Sequence, residues 1–155
     1  MMQISMEVPP RAGALCESIR GMGYSLDTAI ADIIDNSISA KSSRIEIYID
    51  ASMEGAKTEI RDNGIGMTRN ELINAMSLGS LSPTVKRKEN DLGRFGLGLK
   101  TASFSQCRRL TVTSKKHCEA SSFIWDIDHL VDCDQWDLIE NTADLPQISE
   151  DSGTV

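Results

Sequence analysis

Apolar residues along the chain switch between two spacings. Ile30, Ile33, Ile34 and Ile38 recur at helical spacing, which predicts a helix from just after Gly23 to about Ala40. Ser25 stands where an N-cap belongs, and Asp27 falls in the first turn, where the helix dipole favours an anion. Residues 12–22 form an earlier helical stretch. Arg44-Ile45-Glu46-Ile47-Tyr48-Ile49-Asp50 alternates polar and apolar, as a half-buried strand does, and Lys57 to Arg61 is a second strand. Gly55 in the loop between them predicts a hairpin. Asp62 to Met67 is a turn cluster, and Thr68 with Glu71 makes a capping-box pattern for a helix running to about Met76. Residues 77–96 are polar and carry Gly79, Pro83, Gly93 and Gly96, which predicts a long loop; such loops in compact domains are functional or disordered. Gly96-Leu97-Gly98 opens a short helix from Leu99 to Ser105, followed by strands at 109–114 and 121–128. Residues 3–9 alternate loosely up to Pro9-Pro10 and read as a short edge strand or arm. Residues 129–140 fit neither spacing, 145–152 read as loop, and Gly153-Thr154-Val155 opens a further strand. This order predicts an α+β fold, a two-layer sandwich with a mixed, mostly antiparallel sheet.

Composition narrows the class. The 155 residues are the length of one domain, with 40% apolar and 25% charged residues. The net charge of -7 argues against a surface that binds nucleic acid throughout. Lys86, Arg87 and Lys88 are the one basic run, and such a run is ordinarily a solvated loop. Cys16, Cys107, Cys118 and Cys133 form no CxxC pair. His117 adjoins Cys118, but neighbours in a strand point to opposite faces, so the cysteines read as reduced thiols. No run is long enough for a membrane span, and Met1 to Pro10 lacks an apolar signal core, which points to the cytoplasm or nucleus.

Three groups of residues can carry chemistry. On the second predicted helix, Asp32 and Asn36 stand four residues apart and form one polar patch at the edge of the isoleucine arc, with Ala29 and Ala40 leaving room for a ligand. An amide oxygen at Asn36 can ligate Mg²⁺, and a carboxylate at Asp32 can take a proton from an attacking water. Next, Asp62 at a strand end can accept a hydrogen bond from an exocyclic amine, while Gly64 and Gly66 let backbone approach a flat ring. Last, Gly93-Arg94-Phe95-Gly96-Leu97-Gly98-Leu99-Lys100-Thr101 places glycines before a helix, whose N-terminal amides favour phosphate. This spacing is neither the Walker A nor the Rossmann pattern. Each group alone is also what a solvated helix face, a surface turn or a plain loop would contain.

In this order and spacing the three groups resemble the GHKL (Bergerat-fold) ATPases, which include gyrase B, the large heat-shock chaperone, the mismatch-repair clamp ATPase and the histidine kinases. Residues 29–40 look like the N box, 62–67 like the G1 box, and 93–101 like the G2 box with its lid over 77–96. The motif style is similar to Microrchidia-like and heat-shock-chaperone-like bacterial ATP-binding proteins. The resemblance implies ATP and Mg²⁺ as cofactors, with Asn36 on the metal and Asp62 on the adenine amino group. It places Ala40, Gly64, Gly66 and Met67 around the base, and Phe95, Gly96, Leu97, Gly98, Leu99, Lys100 and Thr101 around the phosphates. It also puts Thr154 beside Asp62, with Asp32 and Lys100 serving catalysis.

One departure bears on turnover. Hydrolysing members carry glutamate at the position of Asp32. The shorter aspartate misplaces its carboxylate by roughly 1 Å, which can cost about a hundredfold in rate. Asp35 is no substitute, lying about 100° round the helix from Asn36, and Ser39 stands where many relatives are acidic. The expected function is therefore Mg-ATP binding with slow hydrolysis in a single domain, 1–155, read as the N-terminal part of a longer protein. Nucleotide would drive a conformational switch and an ATP-dependent homodimer through the arm at 1–11, with nucleic acid reached through downstream domains and no membrane partner. A protein kinase of the same fold, or a non-catalytic scaffold with a vestigial pocket, are the alternatives.

Overall fold

A computed structural model describes residues 5–6, 8–52, 55–78, 98–143 and 145–155. In chain order the elements are α1 (Ala12–Arg20), α2 (Leu26–Ser39), β1 (Ile45–Asp50), β2 (Lys57–Asp62), α3 (Arg69–Met76), α4 (Gly98–Gln106), β3 (Arg109–Lys116), β4 (Glu119–Asp126), α5 (Ile127–Cys133), β5 (Ile139–Glu140) and β6 (Gly153–Thr154). The strands form one sheet in the order β1-β2-β6-β3-β4-β5. Every described pair is antiparallel, so the expected α+β fold is present but no parallel pair was needed. The hairpins β1–β2 and β3–β4 place β2 and β3 in the same direction, and β6 fills the slot between them by running against both.

The core lies on the α1 side of the sheet. Ala12, Cys16 and Ile19 of α1, Leu72 and Met76 of α3, and Phe104 of α4 pack with Val112, Phe123, Trp125, Ile127 and Leu130. Helix α1 sits so close to α5 that a Cβ on Gly13 would stand 2.8 Å from the Val131 Cα. The indole N–H of Trp125 donates to the Met76 carbonyl at 2.9 Å and satisfies a C-terminal carbonyl of α3.

Local sequence explains where several elements stop. Helix α2 closes with Lys41 in the left-handed region at φ 59°, its N–H bonded to Ile38 O and the Ser42 N–H to Ser37 O. This is a Schellman closure with lysine in the usual glycine position. Asp126 ends β4 two residues earlier than expected, because its carboxylate accepts from the Asp128 and His129 N–H groups and starts α5. The ambiguous stretch 129–140 thus divides between α5 and β5. His117 and Cys118 are not in a strand: both have positive φ, 53° and 66°, and make the two-residue turn joining β3 to β4. All four cysteines are free. Met6 and Val8 are 85% and 80% exposed and belong to no strand, so of the edge strand or arm expected at 3–9 the strand does not form across the described residues. Ser25 occupies the N-cap position of α2, but its hydroxyl meets Thr28 Oγ1 rather than a backbone N–H. Lys86, Arg87 and Lys88 lie outside the described residues. Among the described residues no helix is long and apolar enough to cross a membrane.

The capping box at α3 forms in full. Thr68 Oγ1 accepts from the Glu71 N–H, and Glu71 accepts from the Thr68 N–H at 2.8 Å. With Lys116 at 2.9 Å on the same carboxylate, these donors hold Glu71 down to about 2; the Thr68 amide is the largest cause. A depressed carboxylate stabilises the fold above its unfolded pKa, and that contribution is lost as pH falls from about 4.5 through about 2. Glu71→Gln is therefore expected to flatten the acid limb of a stability–pH curve in that window. Thr68→Ala should cost about 1 kcal/mol in urea unfolding at neutral pH.

Candidate functional site

A cleft opens between α2, α4 and the turn after β2. Ala29, Ile33, Asn36 and Ala40 line it from α2, Asp62, Gly66 and Met67 from β2 and its turn, and Gly98, Leu99 and Lys100 from α4. The isoleucine arc of α2 does not enter the core. Instead Ile30, Ile33 and Ile34 are half-buried and Ile38 is 52% exposed, and the buried residues of α2 are Ala29 and Ser37. A separate hollow of about 40 Å³ beside Arg44, Arg61 and Glu150 has room for water alone.

Asp62, the last residue of β2, is held from two sides. Its Oδ1 accepts the Gly64 N–H at 2.8 Å, and its Oδ2 accepts the Ser37 hydroxyl at 3.0 Å. A carboxylate has about four lone-pair positions, so further donors can still be accepted from the cleft. The turn behind it admits no side chains. A Cβ on Gly64 would meet Ala40 at 2.8 Å, and one on Gly66, at φ 62°, would meet the Lys115 carbonyl at 1.9 Å. Asn63 faces away from the cleft, its Oδ1 accepting the Ser43 and Arg44 N–H groups at 2.9 Å each and fixing the turn to the end of α2.

Thr154 pairs directly with Asp62 across the β2–β6 ladder, which brings together residues 92 positions apart in sequence. Beneath them lies Ser114, fully buried on β3. Its hydroxyl accepts the Met67 N–H at 2.8 Å, donates to the Gly153 carbonyl at 3.1 Å and lies 2.9 Å from Thr154 Oγ1. Gly153 has φ 155°, and a Cβ there would stand 2.4 Å from the Asp62 carbonyl oxygen.

Asn36 is exposed on the α2 wall of the cleft. Asp32, one turn earlier, accepts a hydrogen bond from the Tyr24 hydroxyl, which holds the phenol's pKa above its usual value. Gly98 begins α4, and among the described residues nothing would stand within 4 Å of a Cβ there. Lys100 is 1% exposed, and its ammonium donates to the Ala75 and Ser77 carbonyls at 2.7 and 2.8 Å. It thus sits on the C-terminal end of α3, where the helix dipole favours a cation. Thr101 is half-buried on α4. Phe95, Gly96 and Leu97, and the segment 79–97 that holds most of the expected lid, lie outside the described residues.

Residues 24–154 match the model of a family described as "Histidine kinase-, DNA gyrase B-, and HSP90-like ATPase". The chain belongs to this family. Among individual relatives, "Chaperone protein HtpG" of Rickettsia canadensis is 28% identical over 134 residues, covering 80% of this chain and 20% of that protein. HtpG of Borreliella afzelii is 32% identical over 98 residues, covering 57% of this chain and 16% of that protein. "ATPase morc-1" of Caenorhabditis elegans is 33% identical over 90 residues, covering 57% of this chain and 10% of that protein. The chain therefore spans a fifth or less of the length of these relatives. The family match takes in Asp32, Asn36, Asp62, Gly66, Lys100 and Thr154 together.

Sequence reasoning about this ATPase-family domain missed Ser37, Ser114 and Tyr24. Ser37 could have been noticed as a small hydroxyl within the isoleucine arc, next to Asn36. Ser114 and Tyr24 carry no motif signal; only the sheet register and the α2 entry place them.

Burial pushes the Lys100 ammonium down to about 8 from its ordinary 10.5. Between these values the unfolded chain keeps a proton that the folded chain has released, so this group makes stability rise with pH across that window. Urea midpoints measured from pH 7 to 10 should show this rise in the parent and lose it in Lys100→Met.

Proposed function

We propose that the cleft binds ATP with Mg²⁺, hydrolyses it slowly, and uses the nucleotide state to switch the association of two copies of the protein. The carrying observation is Asp62: a carboxylate fixed by Gly64 and Ser37, beside Thr154, in a turn whose two glycines pack too closely on Ala40 and Lys115 to carry side chains. Such a carboxylate suits the exocyclic amine of adenine, and the bare Gly64–Gly66 backbone suits its flat ring. Membership in an ATPase family supports the same ligand. Helix α4 starts on the cleft at Gly98, and a helix N-terminus favours a phosphate chain.

The residues also fit Mg²⁺ held mainly through the nucleotide. Among the described residues no three His, Cys, Asp or Glu side chains cluster to form a protein-only metal site. Asn36 offers one amide oxygen on the cleft wall, and this cation keeps several waters and takes the rest of its ligands from phosphate. When bound it supplies charge neutralisation for the phosphates. Asn36 would orient it, and Asp32, one turn earlier on α2 though not among the residues that line the cleft, would be the carboxylate to take a proton from a water.

Slow turnover follows from Asp32. Aspartate is shorter than glutamate, and the Tyr24 hydroxyl already occupies one of its oxygens, which leaves the other to meet a water. The same contact favours a second reading, nucleotide binding without turnover. Calorimetric titration with ATP and ADP, with and without Mg²⁺, tests both. Asp62→Asn turns an acceptor into a donor against the adenine amine and is expected to weaken ATP at least about thirtyfold. Asn36→Ala should remove the Mg²⁺ dependence while adenosine binding persists. Absence of ATP binding in the parent would end the nucleotide reading; intact binding with no phosphate release would leave the second.

A further inference from the structure

The β1 strand borders the sheet, and its six residues pair with β2 in unbroken register from Ile45↔Asp62 to Asp50↔Lys57. Among the described residues nothing pairs with its outer side. Natural edges are usually protected by proline, bulges or inward charge. This one has none of them along its length, and Ile47, Tyr48 and Ile49 are 41%, 53% and 61% exposed. Alternation puts Ile45, Ile47 and Ile49 on the face shared with the cleft. Glu46 and Tyr48 lie on the other face, where the Arg61 guanidinium sits 5.7 Å from the Tyr48 ring centre.

The order of charges selects a partner. Two identical strands joined by a two-fold axis perpendicular to the sheet must pair residues of the same face, so the numbers of opposed residues sum to an even value. Two registers overlap five residues of the strand, more than any other. Centred on Tyr48, the register sets Glu46 against Asp50. Centred on Ile47, it sets Arg44 against Asp50 at both ends, Ile45 against Ile49, Glu46 against Tyr48, and Ile47 against itself. Of the two, this register alone has no like-charged pair, and it joins the isoleucines of both copies into one apolar row.

We propose that the outer edge of β1 is a self-association surface: two copies of this chain pair β1 to β1 in the Ile47-centred register and merge their sheets. The occupant is a second copy because the edge is complementary to itself in charge and in apolar pattern. A six-residue strand pair is smaller than the ~1,600 Å² of a standard interface, so the dimer is weak and forms with rising concentration. The surface lies on a different segment from the arm at 1–11 and does not depend on the nucleotide reading.

Sedimentation equilibrium of the chain, over a wide concentration range and without nucleotide, tests the proposal. The parent is expected to dimerise. Arg44→Asp alone and Asp50→Arg alone each set like charges together at both ends, and each should weaken the dimer about tenfold. An equimolar mixture of these two variants restores opposite charges and should recover parental association. Ile47→Lys, which opposes two ammonium groups at the axis, should abolish it. Thermal melts check that each variant is folded, Arg44→Asp included, since Arg44 also pairs with Glu150 within one copy; if Ile47→Lys is not folded, the Asp50 variant and the mixture decide. A parent that stays monomeric overturns the proposal, as does a dimer indifferent to these changes or a mixture that fails to recover.

Discussion

The sheet and the cleft both depend on one buried hydroxyl. Ser114 takes the Met67 N–H from the turn after β2 and gives its proton to the Gly153 carbonyl, with Thr154 Oγ1 beside it. Three segments far apart in sequence thereby share one polar centre at zero exposure. Such a centre costs little when every partner is present and a great deal when one is missing. The same contacts set the position of Asp62, because Thr154 is its ladder partner. Satisfying the interior and shaping the site are one event here.

The two sides of the helix layer have different tasks. On one side α1, α3, α5 and the aromatic residues of β4 make a close-packed core. On the other, α2 turns its apolar face to a cleft and buries little of it. The end of α3 lies between them, with the Ala75, Met76 and Ser77 carbonyls all accepting hydrogen bonds from Lys100 or Trp125. In this conformation the Lys100 ammonium serves the protein's own backbone, although resemblance alone would aim it at a phosphate.

Local chemistry made much of the fold legible. Alternation fixed β1 and β2, isoleucine spacing fixed α2, and Thr68 with Glu71 fixed the start of α3 to the residue. The site was legible where a motif forces backbone geometry: no other residue fits the space at Gly64 and Gly66. What stayed hidden was nonlocal. The Ser37–Asp62 bond joins residues 25 apart, and Ser114 meets Thr154 across 40; no window of sequence contains both partners. Tyr24 on Asp32 was missed because it precedes the helix whose periodicity was being read. The ends of β4 and α5 were missed because the Asp126 cap competes with strand alternation over the same residues.

The strand that joins the two hairpins is also made last. Ribosomal synthesis releases β1, β2, β3 and β4 well before Gly153 and Thr154 emerge. Until then the two hairpins have an open slot between them, and isolated two-stranded pairs are marginal in water. The loop closed when β6 docks on β2 spans most of the chain, a slow, nonlocal step. The nascent cleft therefore stands incomplete until the end: the walls can form early, but the floor beside Asp62 arrives with the closing strand.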